Sequence, residues 1–326
     1  MTDALSDTTP AATDPLDVDA ASSLARDVVE NVQRVIVGKD DEIEHLVTAI
    51  LGRGHVLLED VPGVGKTMLA RSIARTVGGE FRRIQFTPDL LPADVTGTTV
   101  FDEQSHEFEF RPGPVFANFV LGDEINRASP KTQSALLEAM EEAQVTVDGE
   151  THRLPDPFVV VATQNAVEND GAFELPAAEV DRFAKRLTLG YPSPAEEQQV
   201  LERVVGGHPV DAVEPVTTID ALRRARATAA AATVSAPVRR YVTELANFTR
   251  EHAELGVSPR GSIALVRAAQ GRATLDGRDY VTPDDVQVEA EPVLAHRVRV
   301  ESGTPLGGDA GRRLVQRALS TVDPET

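Results

Sequence analysis

The sequence predicts an α/β fold, in which a parallel sheet flanked by helices is followed by an all-helical C-terminal domain. Three observations carry this. The short apolar runs Val56 to Leu58, Phe119 to Leu121 and Phe158 to Ala162 have the composition of strands buried on both faces. Segments of helical period lie between them, as a parallel sheet requires. After Tyr191-Pro192-Ser193-Pro194 the strand signals stop and helical periodicity dominates. At 326 residues the chain is long enough for two domains with separate cores.

In chain order, residues 1–20 are Asp, Thr, Ala and Pro with little apolar periodicity and are expected to form a disordered acidic tail. The core is expected over 21–192. It opens with a helix from Leu24 to Val32 and an apolar turn, Val35-Ile36-Val37-Gly38. The strand at Val56 to Leu58 then runs into Glu59-Asp60-Val61-Pro62-Gly63-Val64-Gly65-Lys66-Thr67, and Met68 to Val77 reads as a helix. Glycines at 63 and 65 let successive backbone N–H groups turn inward around phosphates, and the helix N-terminus faces the anion. Lys66 then reaches the β/γ-phosphates and Thr67 can ligate Mg²⁺. Asp60 stands where the G-x-x-x-x-G-K-[ST] pattern expects its first glycine, which puts a carboxylate near the phosphates unless it points away. The run at Phe119 to Leu121 ends in Gly122-Asp123-Glu124. Asp123 is suited to hold Mg²⁺ through its water shell, and Glu124 to polarise an attacking water. A phosphate loop followed by such a strand is the signature of a nucleoside-triphosphate hydrolase, with Ile36 and Val37 expected beside the adenine.

Two hairpins are expected between these core elements. Thr98 to Phe101 and Glu107 to Phe110 alternate with period two on either side of a polar turn; Gln144 to Val147 and Glu150 to Arg153 flank an Asp148-Gly149 turn. Ser129-Pro130 reads as an N-cap with proline at the first helical position, opening a helix that carries Leu136, Leu137 and Met140. The strand at Phe158 to Ala162 ends at Thr163-Gln164-Asn165. Over 193–326, helices are expected at Glu196 to Val205, Ile219 to Ala232, Val238 to His252, Ser262 to Leu275 and, last, from Pro283 with Thr282 as its cap.

Composition narrows the function. There is no cysteine, which excludes a disulfide framework or a thiolate metal site, and the seven histidines show no ligand spacing. No apolar run approaches the roughly 18 to 20 residues of a membrane span, and the N-terminus lacks a basic, apolar signal region, so a soluble cytoplasmic protein is expected. Fifty-two acids oppose thirty-two bases, for a formal net charge of −20, and the lysines are Lys39, Lys66, Lys131 and Lys185. Such an acidic, lysine-poor chain, rich in alanine and valine, fits a halophile, since molar salt screens charge within about 3 Å and suppresses self-repulsion. The same balance argues against a broad nucleic-acid surface.

Several segments are similar to the MoxR family of AAA+ ATPases: GHVLLEDVPGVGKTMLARSIA, FEFRPGPVFANFVLGDEINRASPKTQSALLEAMEE, VVVATQN, EVDRF and GVSPRGSIALVRAAQGRATLDGRDYVTPDDV. The resemblance runs from about Asp27 to Val300. It implies an AAA+ core with a helical lid, and a ring, expected to be hexameric, with ATP and Mg²⁺ bound between neighbouring subunits. Carried over, Asp60 to Met68 form the nucleotide loop, in which an aspartate at position 60 is common. Asn165 becomes the sensor that orients water, Arg182 the finger offered to the next subunit's γ-phosphate, and Arg260 a second sensor reporting phosphate state to the lid. Arg127, after the catalytic acids, is a weaker candidate. The hairpins match elements that face a pore or client. Family members often work with proteins carrying a von Willebrand factor A domain; a haloarchaeal member fits the composition. The stretch Asn165 to Phe173 departs from the family pattern, which places proline after the sensor asparagine.

The expected activity is therefore ATP hydrolysis that remodels, matures or assembles a partner protein. The alternatives are a nucleic-acid motor or replication loader, a chelatase-type motor subunit, and a nucleotide-gated scaffold with little turnover. A basic aromatic surface would favour the first, but the sequence carries no basic stretch with aromatics.

Overall fold

The computed structural model describes residues 13–324 except 105, 166–172, 206–209, 211–212 and 302. Its strands are β1 (Val56–Asp60), β2 (Phe81–Gln85), β3 (Gly97–Asp102), β4 (Glu107–Pro112), β5 (Phe119–Asp123), β6 (Gln144–Val147), β7 (Glu150–Arg153), β8 (Val159–Asn165) and β9 (Lys185–Leu187). The helices of the first half are α1 (Val18–Gln33), α2 (Asp40–Leu51), α3 (Lys66–Thr76), α4 (Pro92–Thr96), α5 (Pro130–Glu142) and α6 (Ala177–Val180). Those of the second are α7 (Pro194–Val205), α8 (Ile219–Ala231), α9 (Ala236–His252), α10 (Pro259–Leu275), α11 (Pro283–Leu294) and α12 (Asp309–Thr321).

Five strands pair in parallel in the order β2-β5-β8-β1-β9. The three apolar runs of the sequence are its three central strands. Because side chains alternate along a strand, each sends residues to two cores. Val56, Leu58, Leu121, Val159 and Val161 meet Val28 of α1, Leu46 of α2 and Ile73 of α3 on one face; Leu57, Val120, Val160 and Ala162 meet Leu136, Leu137 and Met140 of α5 on the other. The edge strands β2 and β9 escape sequence reading because Arg82, Arg83, Lys185 and Arg186 break their apolar pattern. Both expected hairpins form, β3 with β4 and β6 with β7.

Helix termini follow their caps. The Ser129 hydroxyl accepts from the N–H of Thr132, and Thr282 and Asp285 form a reciprocal capping box on α11. Helix α1 begins at Val18, earlier than expected, because the Asp17 carboxylate accepts from the Ala20 N–H at 2.8 Å and Ala21 is buried. The rest of the expected tail, residues 1–12, lies outside the described residues. Helices α2, α4, α6 and α12 add to those read from sequence, so Pro283 does not open the last one.

A third core joins α9 to α12 through Tyr241, Leu245, Leu265, Val286, Val293, Leu314 and Val315. The division expected at residue 193 does not coincide with the division of cores. Helix α8 lends Leu222, Ala225 and Ala229 to the first core, beside α1.

Candidate nucleotide site

The carboxyl ends of the central strands gather Asp123, Glu124 and Asn165 beside the phosphate loop with Lys66, at the crossover where open α/β sheets bind ligands. Register brings Asp60 opposite Asn165 and Gln85 opposite Asp123. Beyond β1, Gly63 and Gly65 take φ of 85° and 96°, the left-handed region that favours glycine, and a Cβ on either would meet nothing within 4 Å. The loop is thus open on the side where a phosphate chain has to lie. Gly65 caps α3 without a side-chain hydrogen bond, and a helix N-terminus of this kind favours an anion.

Lys66 is buried at the start of α3, and its Nζ donates to the Asp60 carbonyl at 2.9 Å and to Asn165 Oδ1 at 3.1 Å. The Asp60 carboxylate accepts from the N–H of Val61 at 2.7 Å and from the N–H of Gly190 at 2.6 Å. It therefore points toward the segment following β9, which removes the concern that it faces the phosphates. Lys39 donates to the carbonyl of neighbouring Tyr191 at 3.4 Å, drawing the half-buried turn at Ile36 and Val37 toward the same segment. Val61, Val64, Thr67 and Met68 are half-buried around the loop, and Pro62 is exposed.

The two acids are held differently. Asp123 Oδ1 accepts from the Thr163 hydroxyl at 2.6 Å, while Oδ2 accepts from Arg83 Nε at 3.0 Å and Nη2 at 2.6 Å. Glu124 adopts φ 56° and ψ 49°, a left-handed conformation that costs a non-glycine residue about 1–3 kcal/mol. Its N–H donates to the Thr163 Oγ at 2.9 Å. Its carboxylate accepts from Asn165 Nδ2 at 3.1 Å on one oxygen, and from Gln85 Nε2 and Arg127 Nη1, each at 2.9 Å, on the other. The strained turn aims Glu124 along the sheet edge, where Asn165 bridges it to Lys66.

Arg182 and Arg260 lie elsewhere. Both pair with Glu141 at the end of α5, Arg182 at 3.4 Å, and both line a cavity of about 240 Å³ with Gly52, Arg53, Gly54 and His55. Those four residues precede β1, whereas the phosphate loop follows it, so the five-residue strand separates the arginines from the loop by about 15 Å. Nearby, the Asp181 carboxylate accepts from Arg297 Nε at 2.7 Å and from the hydroxyl of Ser258, the N-cap of α10, at 2.8 Å.

The donor set fits Mg·ATP. A hydroxyl and one carboxylate, Thr67 and Asp123, are hard oxygen donors of the kind Mg²⁺ takes while keeping waters and phosphate oxygens as its other ligands. Among the described residues no group of three or more His, Cys, Asp or Glu could hold a metal by itself. No helix among them is long and apolar enough to cross a membrane.

Comparison with known proteins gives the family. Residues 55–185 match the model of the ATPase family associated with various cellular activities (AAA), and residues 245–316 an AAA lid domain. The uncharacterized protein YeaC of Bacillus subtilis is 50% identical over 90% of this chain and 92% of its own length. Chaperone MoxR1 of Mycobacterium tuberculosis is 42% identical over 92% and 82%. The chain belongs to the MoxR family of AAA+ ATPases. A crystal structure of a candidate ATPase from Cytophaga hutchinsonii has the same fold, with a TM-score of 0.86 and 36% identity over 94% of this chain and 96% of that one.

For this MoxR-family chain, the AAA match spans the sheet from the residue before β1 into β9, and the lid match falls within the third core. The expected site residues divide into two sets, with Lys66, Asp123, Glu124 and Asn165 at the carboxyl edge and Arg182 and Arg260 at the opposite end. Sequence reading missed Arg83, Gln85 and Thr163, which hold the acids. Their signal was available only as polar residues on strands, two of them on an unrecognised edge. Of the divergent stretch from Asn165 to Phe173, residues 166–172 lie outside the described residues.

Loss of the buried ammonium in Lys66→Ala is expected to weaken ATP binding by about 30-fold or more, read by calorimetry, since truncating a buried charged partner costs at least about 2 kcal/mol.

Proposed function

We propose that this protein is an ATP-hydrolysing ring that remodels, matures or assembles a protein partner in the cytoplasm. The observation that carries this reading is the separation of Arg182 and Arg260 from the phosphate loop of their own chain, across the length of β1. A nucleotide on one chain's loop then meets these arginines only from a neighbour, as in a closed ring with the same interface repeated; six copies are the expected number. Lys66 and the loop N–H groups hold the phosphates of ATP, Thr67 and Asp123 the Mg²⁺, which supplies charge neutralisation when bound. Glu124 takes the proton of the attacking water, which Asn165 orients, and the incoming Arg182 stabilises the γ-phosphate in the transition state. Arg260, which shares Glu141 with Arg182, reads the neighbour's nucleotide along with it.

The kinship with a chaperone supports a protein client, and so does the β3–β4 hairpin, which carries exposed Phe101 and Phe108 in edge-to-face contact at 5.2 Å. A partner with a von Willebrand factor A domain is the expected client. The net charge of −20 supports a salt-adapted, haloarchaeal protein, so assembly is to be assayed in molar KCl as well as in dilute buffer.

The test mixes two inactive proteins. Arg182→Ala subunits keep Glu124, and Glu124→Gln subunits keep Arg182, so a mixed ring contains complete sites only if the arginine acts across the interface. Recovery of phosphate release on mixing is expected. Its absence, with mixed rings verified by mass, removes the reading.

A further inference from the structure

A cationic side chain lies on the acid assigned to the metal. Asp123 is buried, and its Oδ2 faces the guanidinium of Arg83 through two charge-assisted hydrogen bonds, at 3.0 and 2.6 Å. Arg83 is not a structural fixture of the core, because its side chain is 49% exposed whereas that of Asp123 is 11% exposed. It sits on the edge strand β2, two residues from Gln85 and so on the same face of that strand. Its Nη2 also donates to Gln85 Oε1 at 2.6 Å, and Gln85 in turn donates to Glu124 at 2.9 Å. One side chain therefore touches the metal-side acid and the residue that restrains the hydrolytic acid.

We propose that Arg83 is a tethered cation that competes with Mg²⁺ for Asp123, so that arrival of the metal with its nucleotide displaces Arg83 and loosens the Gln85 contact on Glu124. This rests on the assignment of Asp123 to the metal. The physical reason for the device is charge. Asp123 and Glu124 are adjacent acids at a buried strand end, and without a counter-charge their mutual repulsion and desolvation would disfavour the fold. Arg83 supplies that charge until a divalent ion replaces it. A half-exposed arginine can leave cheaply, because its head group returns to water while its stem stays on the sheet edge. Once released, it no longer fixes the amide of Gln85, and Glu124 keeps its contacts with Asn165 and Arg127. Arg83 is thus a positioning residue that makes the readiness of Glu124 depend on metal.

The test is an equilibrium titration of a non-hydrolysable ATP analogue, adenylyl imidodiphosphate, at a series of Mg²⁺ concentrations, with the full-length protein. In Arg83→Gln the Mg²⁺ concentration for half-maximal enhancement of binding is expected to fall roughly fivefold, the factor that a partly exposed ion pair is worth. Binding without Mg²⁺ should be unchanged. Arg83→Lys keeps the charge and should return most of the wild-type Mg²⁺ requirement. An unchanged or raised Mg²⁺ requirement in Arg83→Gln overturns the proposal, as does weaker binding without Mg²⁺, which would place Arg83 on the phosphates or in the fold. Asp123→Asn separates this from the assignment beneath it: if its binding remains as Mg²⁺-dependent as the wild type, the metal assignment fails, whatever Arg83 does.

Discussion

Glu124→Gln is expected to bind ATP as tightly as the wild type, within about twofold, and to hydrolyse it 10²- to 10⁴-fold more slowly, the range a positioned general base contributes. The substitution keeps the volume and one carbonyl oxygen, so the hydrogen bond from Asn165 Nδ2 at 3.1 Å has an acceptor to return to. Lys66, the residue assigned to the phosphates, donates to Asp60 and Asn165, contacts that the substitution leaves in place, so the loop should not move. What disappears is the group able to take a proton from water. The other two acids placed at this edge are already engaged: both oxygens of Asp60 accept backbone N–H groups, and Asp123, the residue assigned to the metal, is bonded to Thr163 and Arg83. Analogue binding and single-turnover phosphate release, measured on the same preparation, check the two halves separately. Turnover near the wild-type rate would move the base to a residue outside this edge, whereas lost binding would mean that Glu124 supports the loop.

Much of that edge was legible because its chemistry is written in contiguous residues. The run from Asp60 to Thr67 needs particular residue types at fixed spacing, and the apolar strand before Asp123 and Glu124 announces its own burial. The orientation of Asp60 was not legible, since the N–H of Gly190 that turns its carboxylate away comes from 130 positions further along the chain. Nor were Arg83 and Gln85, which belong to an edge strand whose outward arginines hide the period of two. The convergence of Arg182 and Arg260 on Glu141 joins three elements that no local pattern relates. Edge strands and charge clusters built from distant single residues are where sequence reading ends, because the energy that places them is tertiary packing and not local preference.

The same limit hid a buried cluster that joins the sheet to the helical region, and its disruption has the largest expected effect on stability. Lys185 of β9 and Glu289 of α11 are both fully buried and form an ion pair. Glu289 also accepts from Arg272 Nε of α10 and from the Thr48 hydroxyl of α2, each at 3.1 Å, with His45 Nδ1 at 3.2 Å. Burial pushes the Glu289 carboxyl up, but Lys185, His45 and Arg272 together hold it well below the usual carboxylate range. For Lys185 burial wins, lowering it from the ordinary 10.5 to about 8 in spite of Glu289. Glu289→Gln leaves Lys185 and Arg272 facing one another without their shared counter-charge, and is expected to cost about 3–5 kcal/mol, as breaking one side of a buried pair does. Lys185→Met should cost less, because Glu289 keeps Arg272 and His45. The pH dependence discriminates this from a simple packing loss. With a folded-state value below its unfolded one, Lys185 contributes stability that is present above the unfolded value and lost as pH falls through the folded one. In the wild type that window runs from about 8 to 10.5. In Glu289→Gln the partner that raised Lys185 is gone, so the window extends downward through neutrality. The stability deficit of the variant should therefore shrink as pH rises from about 6.5 toward 8, by at most about 1.4 kcal/mol per pH unit for one proton. Urea unfolding of both proteins across that range measures it. A deficit that does not change with pH would mean that Lys185 is already neutral in the wild type and that the cluster is held by its hydrogen bonds and not by charge.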